Sequence, residues 1–201
     1  HRLFITDANS NHRILIFNLD SNNNLIDRIA DYVIGQPDFA TNTATLTQSG
    51  LANPHALAYD SQNDRLFVAE FTNNRVLVFD TSTITNGMNA SYVLGQSDFV
   101  TNAAATTQNG MSTAVGLAYD SNNDRLFVTD RSNARILVFD VSSITNGENA
   151  IYVLGQTDFV TSTGGTTQST FSLAQGLAYD TTNDRLFVSE TGNKRTLVFD
   201  L

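Results

Sequence analysis

Leu57-Ala58-Tyr59-Asp60 recurs as Leu117-Ala118-Tyr119-Asp120 and again as Leu177-Ala178-Tyr179-Asp180, 60 residues apart each time. Leu66-Phe67-Val68 returns at 126–128 and 186–188, and Val78-Phe79-Asp80 at 138–140 and 198–200. Tyr92-Val93-Leu94-Gly95-Gln96 returns at 152–156. Between residues 57–116 and 117–176, 39 of 60 positions are identical. The start of the chain fits the same unit with small insertions, Arg2-Leu3-Phe4-Ile5 matching Arg65–Val68 and Ile34–Phe39 matching Leu94–Phe99. A fixed repeat of this kind sets the architecture before any local preference does.

Each unit reads as four short strands rich in Val, Ile, Leu, Phe and Tyr, separated by polar turns. The spans expected are 2–7, 13–18, 31–36, 56–60, 65–70, 75–80, 90–96, 116–120, 125–130, 135–140, 150–156, 176–180, 185–190 and 195–200. Runs such as Ile136-Leu137-Val138-Phe139 are apolar on both faces, so each small sheet is covered on both sides. No stretch holds a 3.6-residue period over a helical length. Four-stranded units stacked face to face are propeller blades. The fold class expected is therefore all-β, a β-propeller with a 60-residue repeat. Residues 1–55 give an incomplete blade and its connection, 56–115 and 116–175 whole blades, and 176–201 a second incomplete blade. About 3.3 blades fall short of the ~4–8 that close a ring, so the chain reads as an excerpt of a longer propeller.

An apolar strand ends in an acid, a tight turn follows, and then comes Asn-x-Arg-[Ile/Val]-x-Val-Phe. The pattern stands as Phe67-Val68-Ala69-Glu70 with Asn73-Asn74-Arg75-Val76-Leu77-Val78-Phe79. It returns as Asp130 with Asn133-Ala134-Arg135, as Glu190 with Asn193-Lys194-Arg195, and as Asp7 with Asn11-His12-Arg13. These residues resemble the NHL-repeat family, and the Val-Leu-Gly-Gln-x-Asp-Phe stretch is similar to a microbial subgroup of it. The resemblance implies a six-bladed ring and a family that includes both binding modules and lyases, so fold does not fix activity.

Composition removes several classes. Eleven Lys plus Arg against 20 Asp plus Glu give a net charge of −9, which opposes nucleic-acid binding. There is no Cys, so disulfides, thiolate catalysis and Cys-zinc sites are out. No apolar run approaches the ~18 residues of a membrane span. The hydrophobic share of 41% suffices for a packed core.

Four acid–Arg pairs, Asp7/Arg13, Glu70/Arg75, Asp130/Arg135 and Glu190/Arg195, sit on opposite arms of a hairpin in every unit. A catalytic set occurs once; a pair in every blade is read as a structural tie. Asp60/Asp64, Asp120/Asp124 and Asp180/Asp184 resemble the start of a calcium loop. Arg follows where that loop needs Gly, so a polar turn is preferred and weak calcium binding is the alternative. His1, His12 and His55 are unrepeated, and no nucleophile elbow or phosphate-cradling loop is present. No catalytic residue and no cofactor is expected.

The repeats differ mainly in their loops. His55, Val115 and Gln175 are equivalent, as are Phe71, Arg131 and Thr191, and Asn74, Ala134 and Lys194. Variable loops on a rigid scaffold are where binding concentrates, which makes His55, Phe71, Asn74, Val115, Arg131, Gln175 and Lys194 the candidate binding residues. The long connections 37–55, 97–115 and 157–175 are expected to be pinned at both ends. Phe39, Phe99 and Phe159 are expected to be largely buried, with Leu51, Met111 and Phe171 as the later anchors and Ala103–Thr106 exposed. The functional expectation is a non-enzymatic extracellular or cell-surface module that binds a protein or surface ligand. The alternatives are a lyase or lactone hydrolase with its site at the ring axis, and a self-associating subunit of a fibre or layer. Neither nucleic-acid binding nor membrane insertion is expected.

Overall fold

The computed structural model describes residues 1–201 and contains four antiparallel sheets. The first holds β1 (Arg2–Asp7), β2 (Arg13–Asn18) and β3 (Tyr32–Ile34). The second holds β4 (Pro54–Asp60), β5 (Arg65–Glu70), β6 (Arg75–Asp80) and β7 (Tyr92–Leu94). The third repeats it with β8 (Ala114–Asp120), β9 (Arg125–Asp130), β10 (Arg135–Asp140) and β11 (Tyr152–Leu154). The fourth has β12 (Ala174–Asp180), β13 (Arg185–Glu190) and β14 (Arg195–Asp200). Within each sheet sequential strands pair, and β8 packs against both β4 and β12, so the first strands line the axis. This is a partial propeller whose ring is open.

Blade-to-blade packing follows from the double-sided apolar strands. Phe67, Val76 and Val78 of one blade meet Leu126, Val128, Leu137 and Phe139 of the next. Phe127, Ile136 and Val138 then meet Leu186 and Val188. An aromatic step repeats beside the axis, Phe4–Tyr59, Phe67–Tyr119 and Phe127–Tyr179, with centroids 5.3, 5.8 and 5.4 Å apart. At the ends of the stack the same faces meet solvent, Leu3 and Ile5 on the first sheet, Phe187 and Val198 on the last.

Three local readings change. The first strands begin two residues earlier than expected, at Pro54, Ala114 and Ala174, because a bulge between Pro54 and Leu57 and its equivalents carries the ladder past the irregularity. The fourth strands are three residues rather than six or seven, since the chain turns at a glycine of positive φ directly after each. At Gly95 (φ +87°) a Cβ would stand 2.9 Å from Met111 Sδ. One 3-10 turn, Arg131–Asn133, joins β9 to β10.

The long connections are pinned, though their first aromatics are less buried than expected. Phe39 is 43% exposed, and Phe99 and Phe159 are only half-buried. At that end the carbonyl is held in every copy, Arg13, Arg75 and Arg135 donating to Phe39 O (2.6 Å), Phe99 O (2.6 Å) and Phe159 O (2.5 Å), while the rings of Phe99 and Phe159 pack on the edge of the core. Leu51, Met111 and Phe171 are fully buried. In the middle, Ala103 and Ala104 are exposed, whereas Ala105 and Thr106 are half-buried because Ala105 N bonds Met111 O (3.1 Å) and Thr106 bonds Asn133 (2.8 Å).

The Asn-Gly turns do more than reverse the chain. Asn86 Oδ1 accepts from Val33 N (3.1 Å) while Gly87 N donates to Val33 O (3.0 Å), so a turn of the second blade caps the outer strand of the first. Asn146 and Gly147 do the same to Val93 at the same distances. A Cβ at Gly87 (φ +64°) would come within 2.9 Å of Pro37 Cα, so the latch needs glycine. Asn86→Ala should lower stability by about 1–3 kcal/mol by stranding the buried Val33 N–H, and Asn86→Asp, which keeps an acceptor, by less; urea unfolding of both variants measures the difference.

Candidate functional site

Strands β5 and β6 run between two ends of the ring. The loop end carries the acid–Arg turns and the long connections, and the turn end carries the Asp60–Arg65 type turns and the third-to-fourth-strand links. Thirteen of the 20 acids and five of the 11 cations lie at the turn end, which therefore holds −8 of the net −9. The loop end is close to neutral. The charge is thus segregated along the axis.

At the loop end each acid–Arg pair is the centre of a clamp. Glu70 accepts from Arg75 Nε, from Ala52 N (2.7 Å) and from Asn73 Nδ2 (3.0 Å). Arg75 then spends its remaining donors on Phe99 O (2.6 Å), Thr47 O (3.1 Å) and Gly50 O (3.1 Å). One guanidinium thus holds the connection before its blade and the connection after it. Asp130 and Arg135 repeat the set, with Nε to carboxylate 2.7 Å and donors to Phe159, Thr107 and Gly110 carbonyls. Both pairs are fully buried. Glu190–Arg195 (2.5 Å) is partly open on the Arg side only, and Asp7–Arg13 (2.8 Å) is partly open on both sides. Burial pushes Glu70 and Asp130 above the ordinary carboxylate range even though Arg75 and Arg135 pull them down. Burial raises Asp7 too, but the bonds from Asn11 and Arg13 outweigh it and leave it below its ordinary value.

The turn-end aspartates are occupied by protein donors. Asp60 accepts from the Gln62 and Asn63 amides, from Asn63 Nδ2 (2.9 Å) and from Arg65 Nε (2.8 Å). Asp120 does likewise with Asn122, Asn123 and Arg125, and Asp180 bonds Thr182 and Asn183. Asp64, Asp124 and Asp184 accept the hydroxyls of Tyr59, Tyr119 and Tyr179. Arg65 on Asp60 and Arg125 on Asp120 set a cation against carboxylates that a calcium loop would use as ligands.

The variable residues fare unequally. His55 lies inside β4, at its bulge, exposed, with its ring stacked on Phe71 at 5.9 Å and 28°. A bulge re-aims a side chain out of the ladder, and here it turns an axial residue toward the loop end. Val115 holds the equivalent bulge position but is buried, so it leaves the surface set. Gln175 is half-buried. Asn74 also leaves the set, since Oδ1 accepts from Thr113 N (2.7 Å) and Nδ2 donates to Asn102 O (2.9 Å), bracing the next connection. Arg131, in the 3-10 turn, is half-buried, and Lys194 is exposed. The geometry therefore gathers His55, Phe71, Arg131, Gln175 and Lys194 at the loop end. Sequence reasoning missed Gln36, Gln96 and Gln156, which pin the connections from within; Gln96 Nε2 donates to Asn74 O and Ala103 O, both 3.0 Å. Their invariant Gly-Gln context was the available signal.

Residues 51–79 and 111–139 match the NHL repeat family. The chain carries NHL repeats. Each matched stretch runs from a buried loop anchor, Leu51 or Met111, through the bulged strand and the clamp to Phe79 or Phe139. Comparison with curated proteins found no match. Among solved structures, the β-propeller domain of Cps50 (Swd1) from Myceliophteria thermophila aligns with a TM-score of 0.51 at 11% identity. The alignment covers 96% of this chain and 48% of that one, so the chain spans about half the length of that propeller. At that identity the likeness concerns the fold.

Arg135→Ala should destabilise by about 3–5 kcal/mol, because it strands a buried Asp130 and frees two connections. Arg13→Ala, at a partly solvated pair, should cost about 1 kcal/mol or less; thermal melts of the two variants compare them.

Asp60 and Asp120 give the acid limb of stability. Burial raises each, but the bonds from Asn and Arg outweigh it, and both lie below the ordinary value of 3.8. Their contribution is full above the unfolded value and is lost as pH falls through the lower folded one. Glu70 and Asp130, raised by burial, act with the opposite sign. The stability gap between the native chain and Asp60→Asn should be widest at neutral pH and close as pH falls below about 4, read from melting temperature against pH.

Proposed function

We propose that this NHL-repeat propeller is a non-enzymatic binding module of the extracellular space or cell surface, and that its loop end is the contact face for a protein partner. NHL and propeller domains commonly mediate protein interaction. The observation that carries the reading is the His55–Phe71 stack, an exposed imidazole on a half-buried phenyl ring, presented at a bulge above fully buried clamps. An aromatic held on rigid backbone loses little entropy when it meets a partner. The absence of Cys and the Ser/Thr/Asn-rich surface are compatible with the location proposed.

A photo-crosslinking residue placed at Phe71, and separately at Asp140 on the turn end, tests the face in the surface milieu of the source cell. Crosslinks to a distinct protein from position 71 and none from position 140 are the expected result. Crosslinks from position 140 alone, or from neither, would overturn the loop-end reading.

A further inference from the structure

Seven of the 11 cations lie in ion pairs with carboxylates, and Arg2 donates to Thr81 O (2.5 Å). Arg131 is in none of those pairs. Its Nε is sheltered from solvent and has no acceptor within the chain. A sheltered, unpaired guanidinium N–H is costly, and each of the four repeated clamp arginines avoids that cost by meeting a carboxylate. Arg131 is also held in place. Its backbone N donates to Thr113 O (3.1 Å), Ser132 N donates to Ser112 O (3.1 Å), and the Thr113 and Ser132 hydroxyls are 2.9 Å apart.

Its position in the ring supplies the neighbours. Arg131 is the repeat equivalent of Phe71, and β8 packs against β4, so the turn that carries Arg131 follows the turn that carries Phe71 around the axis. The loop end as a whole is nearly neutral, so an anion approaching there avoids the charge concentrated at the turn end. Guanidinium and aromatic stack together match a carboxylate that has an aromatic residue beside it in sequence. A planar fork fits a carboxylate with two parallel hydrogen bonds.

Resting on the loop-end reading, we infer that Arg131 is the anion-recognition residue of this face, and that the partner it fits is an acidic peptide segment with interleaved aromatic residues. The carboxylate takes the Arg131 fork, and the aromatic side chain lies on the His55–Phe71 stack.

The probe is a blocked pentapeptide, acetyl-Asp-Phe-Asp-Phe-Asp-amide, with acetyl-Asn-Phe-Asn-Phe-Asn-amide as its uncharged counterpart, titrated by calorimetry. Saturable binding of the acidic peptide, weakened by salt and absent for the Asn peptide, is expected. Arg131→Gln should weaken it roughly tenfold or more with an unchanged melting temperature. Free glutarate distinguishes the sources of the carboxylate: failure to displace the peptide at millimolar concentration marks a peptide site, and displacement at the peptide's own concentration would overturn the peptide assignment. If Phe71→Ser weakens binding while Arg131→Gln does not, the role of Arg131 is lost and the loop-end reading stands. No binding of the acidic peptide by the native chain overturns the inference, and crosslinking from position 71 then decides separately whether the loop-end reading survives.

Discussion

A buried guanidinium must place its N–H groups or forfeit the free energy of solvating them. In the interior blades that requirement organises the loop end. Arg75 and Arg135 each meet one carboxylate and three carbonyls drawn from two different long connections. The connections contain little apolar material and could not order themselves by burial alone. They are ordered because the clamp offers fixed donors at both ends, and Leu51, Met111 or Phe171 closes the gap beneath. The acid that balances the charge also accepts an amide from the segment entering the first strand, Ala52 N or Ser112 N. Strand pairing, loop order and entry geometry thus share one polar centre per blade.

Between blades a different pair of devices operates. Apolar faces supply the burial, and the Asn-Gly turn supplies direction, because it reads both backbone groups of Val33 or Val93 and so fixes how far one blade slides along the next. Arg65, reaching Val141 O in the following blade, adds a tie at the turn end. Each blade touches only its neighbours through these contacts, and stability accumulates interface by interface, as in other repeat architectures.

The strands and their order were legible because the 60-residue repeat places equal residues in equal environments, and packing tolerates little change at Leu66-Phe67-Val68 or its copies. The acid–Arg pairing was legible for the same reason. What escaped was carried by backbone rather than side chain. Phe99 persists in the repeat, and burial of its ring was the natural inference, yet the carbonyl is what Arg75 holds. The fourth strand looked long because Val93-Leu94-Gly95-Gln96 is continuous with Ala90, whereas a positive φ at Gly95 ends it after three residues. At the candidate face, equivalence in sequence did not mean equivalence in exposure: His55 points out and Val115 is enclosed by adjacent blades. Asn74 varies between repeats and looked free, but the next connection uses its amide.

The division of charge along the axis makes the molecule an electrical dipole. Within a Debye length, ~8 Å at physiological salt, a negatively charged surface or polymer repels the turn end and leaves the loop end approachable. Rotational diffusion near such a surface is then biased before any contact forms, with the loop end, which carries the His55–Phe71 stack and Arg131, turned toward it. Orientation of this kind raises the fraction of encounters that are productive without adding a single contact to the bound state.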